Sequence, residues 1–158
     1  TSLPKVYEVS NKISHEEDMH FNPPDWHACL FVSHQRWEIW PEGSFFINFL
    51  KIPVHNYFVG QTHYKLWGYW PDRRERSHGI DGIIEYYQEF FKVDDPNMIL
   101  KFLSENIKKT IPRKQLCPCG RKNKKYKNCH EQMVIKLKKN QSTELLSQAI
   151  IIFRNKCM

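Results

Sequence analysis

Apolar positions recur at two different spacings along this chain, and the change of spacing divides it into elements. Leu3-Pro4-Lys5-Val6-Tyr7-Glu8-Val9 alternates in character and Ala28-Cys29-Leu30-Phe31-Val32 is a nearly continuous apolar run, so both predict strands, the second one buried. Between them lies a polar loop carrying His15, Glu16, Glu17, Asp18, His20 and Asn22, where Pro23-Pro24 holds the backbone extended and turn-like. From Ser44, an N-cap by residue type, Phe46, Ile47, Leu50, Val54, Tyr57 and Phe58 recur at three- and four-residue steps. That spacing predicts a helix, kinked or split by Pro53. A loop rich in charge and aromatics, Trp67 to Gly79, precedes two further helices, over about 80–91 and, after the start signal Asp94-Asp95-Pro96, about 97–108. Thr110-Ile111-Pro112-Arg113 reads as a linker, and a last helix is expected from Thr143, its cap, to about Arg154. Strands followed by helices predict an α+β class.

Composition adds bounds. A chain of 158 residues with 41% hydrophobic and 14% aromatic content can build one modest core plus an appendage. No apolar run approaches the roughly 18 residues of a membrane span, and no signal-peptide pattern opens the chain, so a soluble, cytoplasmic protein without a membrane partner is expected. The chain begins at Thr1 rather than methionine, which reads as a fragment or a processed product. Charge is divided sharply: residues 1–112 hold 12 Lys+Arg against 15 Asp+Glu, whereas residues 113–158 hold 12 against 2. A basic piece of that kind suits an acidic protein surface, a ribosome or nucleic acid, or is simply a solvated face.

Three of the five cysteines fall close together beside a histidine, which is ligand spacing rather than a secreted disulfide framework. Cys117-Pro118-Cys119-Gly120 and Tyr126-Lys127-Asn128-Cys129-His130 supply three thiolates and an imidazole, enough to close a tetrahedral shell around structural zinc. So lysine-rich a segment cannot bury a core of its own, and metal ligation would supply folding free energy. The segment resembles the SEC-C motif, known from the tail of the protein-translocation ATPase SecA. It departs from that pattern in the nine residues between Cys119 and Cys129 and in Arg121-Lys122-Asn123, where the motif has a Ser-Gly step. The resemblance implies a docking module, not a reaction.

Cys29 stands apart, and as a lone thiol on an apolar run its plainest reading is a core cysteine. Its surroundings offer another. Pro4-Lys5-Val6-Tyr7, Asn11-Lys12-Ile13, His20-Phe21-Asn22-Pro23, Cys29-Leu30, Trp37 and Trp40-Pro41 followed by a helix stand in an order that resembles the central part of a ubiquitin-conjugating enzyme. The resemblance covers residues 3–60 and implies a UBC-like antiparallel sheet packed with helices. It divides the chain into a UBC-like domain at 1–110 without the family's first helix and strands, a SEC-C zinc module at 111–135, and a basic helix or tail at 136–158. It further implies that Cys29 carries a thioester, with Asn22, or its rival Asn11, donating to the oxyanion. His20 would hold the loop, and His78 in Arg76-Ser77-His78-Gly79 would stand in for a polar gate, or else be a loop histidine bonded to backbone.

Beyond residue 60 the segments look like divergent bacterial relatives, some of them associated with antiphage defence. In that setting the implied cargo is the C-terminus of a ubiquitin-like protein or a nucleotidyltransferase, delivered by an activating enzyme. Two other classes stay open. The same fold stripped of chemistry would be an adaptor for a protein, ribosome or nucleic acid. A cysteine hydrolase would need a histidine base for Cys29, and no histidine and carboxylate pair stands out in the sequence.

Overall fold

The computed structural model describes residues 3–71 and 76–158, with Lys122 described by its backbone alone. Helices dominate, accompanied by one small antiparallel sheet of two strands, β1 (Phe21–Asn22) and β2 (His27–Ala28). The chain divides into two compact units, residues 1–79 and 80–158. No helix among the described residues is long and apolar enough to cross a membrane.

In the first unit the strands are shorter than the hydrophobic pattern predicts. Leu3–Val9 forms no ladder, although the Val6 carbonyl accepts the Ala28 N–H at 2.8 Å. The predicted strand at 28–32 shrinks to His27–Ala28, because the chain leaves the hairpin at Cys29 and enters a 3-10 turn at Ser33–Gln35. That turn leads into α1 (Arg36–Ile39), and α2 (Phe46–Phe49) follows. Pro53 does not end the helix begun there. It sits in a π-helical turn, Leu50–Val54, whose wider winding absorbs the missing N–H, and α3 (His55–Trp67) continues directly from it. Gly68 then stops α3 in the left-handed region at φ +73°, donating its N–H to Tyr64 O at 2.7 Å. The hairpin packs on α3 through Phe21, Ala28 and Tyr57, with Val6, Ile13, Met19 and Leu30 around them.

The second unit is helical: α4 (Gly79–Phe91), α5 (Pro96–Ser104), α6 (Glu131–Asn140) and α7 (Thr143–Lys156). Asp95 caps α5 by accepting the Asn97 N–H at 3.0 Å, with Pro96 in the first turn where its missing donor is harmless. Ser142, not Thr143, caps α7, accepting the Leu145 N–H at 3.3 Å. Helix α5 packs on α7, and Ile99, Phe102, Leu103, Leu137, Ala149 and Phe153 are fully buried. The second compact unit thus begins with α4. Helices α4 and α5 belong with the cysteine segment because Phe91 and Phe102 provide the apolar surface that the lysine-rich residues lack.

Candidate functional site

Two groups of side chains carry chemistry, one in each unit. In the second, Cys117, Cys119, Cys129 and His130 form a compact cluster that can hold a metal ion, their ligand atoms all within 4.8 Å of one another. Local backbone builds it. Leu116 bridges Lys125, the Cys117 N–H donates to Lys124 O at 2.8 Å, and Gly120 at φ +68° returns its N–H to Cys117 O, so the first two thiols project from a tight turn. Arg121–Asn123, where the sequence departs from SEC-C spacing, forms a 3-10 turn. Cys129 and His130 enter from the other side, at the start of α6.

The donor set suits a metal in three ways. His130 Nε2–H donates to the Phe91 carbonyl at 2.9 Å, which leaves Nδ1 bare and aimed at the thiols, 3.2 Å from both Cys117 Sγ and Cys129 Sγ. Burial holds the imidazole below its usual range, hence neutral, and Phe102 stacks on it at 4.3 Å and fixes the ring plane. Cys119 Sγ and Cys129 Sγ lie 3.6 Å apart, close to the edge of about 3.7 Å that tetrahedral bonds of ~2.3 Å require. Burial, then the neighbouring sulfurs, push the Cys129 thiol up to about 12. A divalent cation reverses that balance by neutralising the thiolates it binds.

The first unit's group follows from strand alternation. Phe21 pairs with Ala28 and both turn into the core, so Asn22 and His27, paired with each other, take the opposite face. The Cys29 N–H donates to His20 O at 2.7 Å just beyond the paired strands, and both residues line one cleft. Burial raises the Cys29 thiol, opposed by a hydrogen bond from the Asn22 side chain. The thiol borders a cleft of about 310 Å³ lined also by Leu30, Tyr57, Trp70 and Arg76.

His20 faces the same cleft, its ring 4.5 Å from Trp70 and 4.7 Å from His78. Burial, and then the neighbouring His78, lower it to about 4. The structure thus brings His20 beside His78 and Asn22 beside Cys29. His78 Nε2 is buried and has no hydrogen-bond partner among the described residues. Asn22 sits in the hairpin that leads into Cys29, while its rival Asn11 is exposed in a bend at φ +52°.

Sequence reasoning missed a histidine and carboxylate pair at this site. His27 Nδ1–H donates to Asp25 Oδ1 at 2.6 Å, and His27 Nε2 lies 3.3 Å from Asn22 Nδ2. Asp25 Oδ2 accepts from Lys5 Nζ at 2.5 Å and from the Tyr7 hydroxyl at 2.9 Å, so the leading segment clamps the carboxylate from behind. Hydrogen bonds from Lys5, His27 and Tyr7 hold Asp25 well below the ordinary carboxylate range. The signal was the two-residue spacing of Asp25, His27 and Cys29. No protein-family model, no curated protein and no solved structure matches the chain.

Proposed function

We propose that the chain is a cysteine-dependent acyl transferase of the ubiquitin-conjugating kind, carrying a protein C-terminus as a thioester on Cys29, with structural zinc on Cys117, Cys119, Cys129 and His130. What supports it is the placement of Cys29, which borders an open cleft of about 310 Å³, just beyond the hairpin strand pair that carries Asn22. In the loading step Cys29 gives up its proton and adds to the carbonyl of an incoming thioester. The incoming thiol leaves and takes a proton, so one thioester replaces another. In the transfer step an amine adds to the Cys29 thioester, and the oxyanion accepts the Asn22 N–H. Collapse expels the Cys29 thiolate, which takes up the proton lost by nitrogen, and an amide is released.

The test uses a mercaptoethanesulfonate thioester of a short glycine-ended peptide. Intact mass should show one acyl group, released by hydroxylamine and mapped to the peptide containing Cys29. Cys29→Ser should trap an oxyester and Cys29→Ala should take up none. Acylation confined to Cys157, the other cysteine outside the metal cluster, would end the transferase reading.

An adaptor reading has one observation in its favour, the exposure of Lys114, Lys124, Lys125, Lys127, Lys136, Lys138 and Lys139 in the second unit. Capture of an acidic partner through these lysines should weaken steeply between 50 and 200 mM salt, by analogy with phosphate binding.

A further inference from the structure

The residues that bond Asn22 are arranged as a chain with one direction. Asp25 is an acceptor only, so it fixes the proton of His27 on Nδ1, at 2.6 Å. His27 Nε2 is thereby left as a lone pair. An amide facing a lone pair must present its nitrogen, and Asn22 Nδ2 is the atom found there, at 3.3 Å. Cys29 follows the strand that pairs with Asn22, its N–H bonded to His20 O at 2.7 Å just beyond the Phe21 and Ala28 pair. Nδ2 carries two hydrogens, so an amide held by His27 through one of them keeps the second for another acceptor.

We propose that His27 and Asp25 are positioning residues for acyl transfer at Cys29: Asp25 sets the His27 tautomer, and His27 sets the amide orientation of Asn22. The inference rests on the transferase reading above, and it names the device that pre-organises that reading's oxyanion donor. Lys5 and Tyr7 complete the chain by holding the second oxygen of Asp25, adding side-chain contacts to the backbone bond by which Val6 already joins this segment to the hairpin. Pre-organisation matters because a donor that must rotate into place during reaction loses much of its electrostatic benefit. Neither residue touches the reacting atoms. Without His27 the amide can rotate by half a turn and present oxygen to the developing negative charge.

The experiment starts from protein acylated at Cys29 with the peptide thioester, and follows loss of the acyl mass after addition of free lysine. Asn22→Ala should slow discharge by roughly 10²–10³, the range for removal of one oxyanion donor. His27→Ala and Asp25→Ala should each slow it by about tenfold, a smaller loss because the donor is present but no longer held. His27→Gln, whose side-chain oxygen can accept from Asn22, should recover most of the rate. A merely structural role for His27 would not be rescued in this way. The imidazole nitrogens give a readout independent of activity and of any variant's folding. In the parent protein, nitrogen-15 spectra should show His27 protonated on Nδ1 and bare on Nε2. A slow Asn22→Ala with an unchanged His27→Ala would overturn the positioning role and leave the transferase reading standing. An Asn22→Ala that discharges at the parent rate would overturn both. A parent His27 protonated on Nε2 would overturn the positioning role by itself.

Discussion

Each unit places cysteine beside polar donors, yet the two arrangements differ in closure. In residues 80–158, three thiols and an imidazole face one another, and the remaining nitrogen of His130 is spent on the Phe91 carbonyl. Every donor is committed, so a bound ion would have no open position for a substrate. In residues 1–79, one thiol meets one amide at the edge of a cleft, and the supporting His27 and Asp25 lie behind the amide rather than around the sulfur. The same residue types therefore separate into a clamp and a candidate reaction centre by how many ligands converge and how much space is left. Four converging donors make structure, whereas a single supported thiol beside a cavity leaves room for a reacting carbonyl.

Stripping the metal is the harshest way to test that comparison. Ligation in small zinc modules contributes on the order of 10 kcal/mol to folding. Chelation should therefore collapse the amide resonances of α4 to α7 while those of the His20-to-Cys29 hairpin stay dispersed. Loss of both sets together would show that the units do not fold as separate clamp and carrier. Next in size is Phe102, fully buried and stacked on His130. Phe102→Ala should cost about 3–5 kcal/mol by urea denaturation of the metal-loaded protein, together with faster metal loss to a chelator. Phe45→Ala in the first unit removes a ring that is 78% exposed and should change the midpoint by less than about 0.5 kcal/mol.

Acid should separate the units by a different route. His20 is held down to about 4 in the folded chain, with burial the largest cause. Between about 6.5 and 4 the unfolded histidine therefore binds a proton that the folded one refuses, so stability falls as pH falls through that window and is fully present above it. The loss should be on the order of 2 kcal/mol once its partial exposure is discounted. Following the hairpin resonances in urea at pH 7 and pH 4.5, in parent and His20→Phe, checks the sign. A hairpin that loses as much stability at pH 4.5 in His20→Phe as in the parent would rule out His20 as the cause.

How legible all this was in the sequence depends on whether the information is local. The ligand set Cys117, Cys119, Cys129 and His130 can be read directly, because soft ligands at short spacing carry their own chemistry. Helices α4, α5 and α7 are legible from periodicity and from start signals such as Asp95-Pro96. The strands are not, since alternation over Leu3–Val9 says nothing about whether a partner ladder exists. Nor is α6: its lysines hide the few residues, Val134 and Leu137 among them, that anchor it. The boundary at Gly79 was obscured because charge, which changes near residue 112, reports the surface of the second unit. Its interior begins earlier, at Ile83 and Ile84. His27 and Asp25 were passed over because their pairing with Asn22 depends on a hairpin register that only the fold supplies.

The smallest effect concerns how α7 begins. Thr143 and Ser142 are both exposed and both chemically able to cap, so burial cannot choose between them. Backbone geometry can: Ser142 has the extended conformation of a capping residue, at φ −69° and ψ 158°, and its hydroxyl oxygen accepts the Leu145 N–H, while Thr143 lies inside the helix. Ser142→Ala should then cost the second unit about 1 kcal/mol, and Thr143→Ala no more than a few tenths, in urea titrations of the metal-loaded protein. The cost should appear in the α7 signals and leave the hairpin of the first unit unmoved. Equal costs at the two positions would mean that the cap is shared, and that the second unit's helices depend less on their own termini than on the cluster that clamps them.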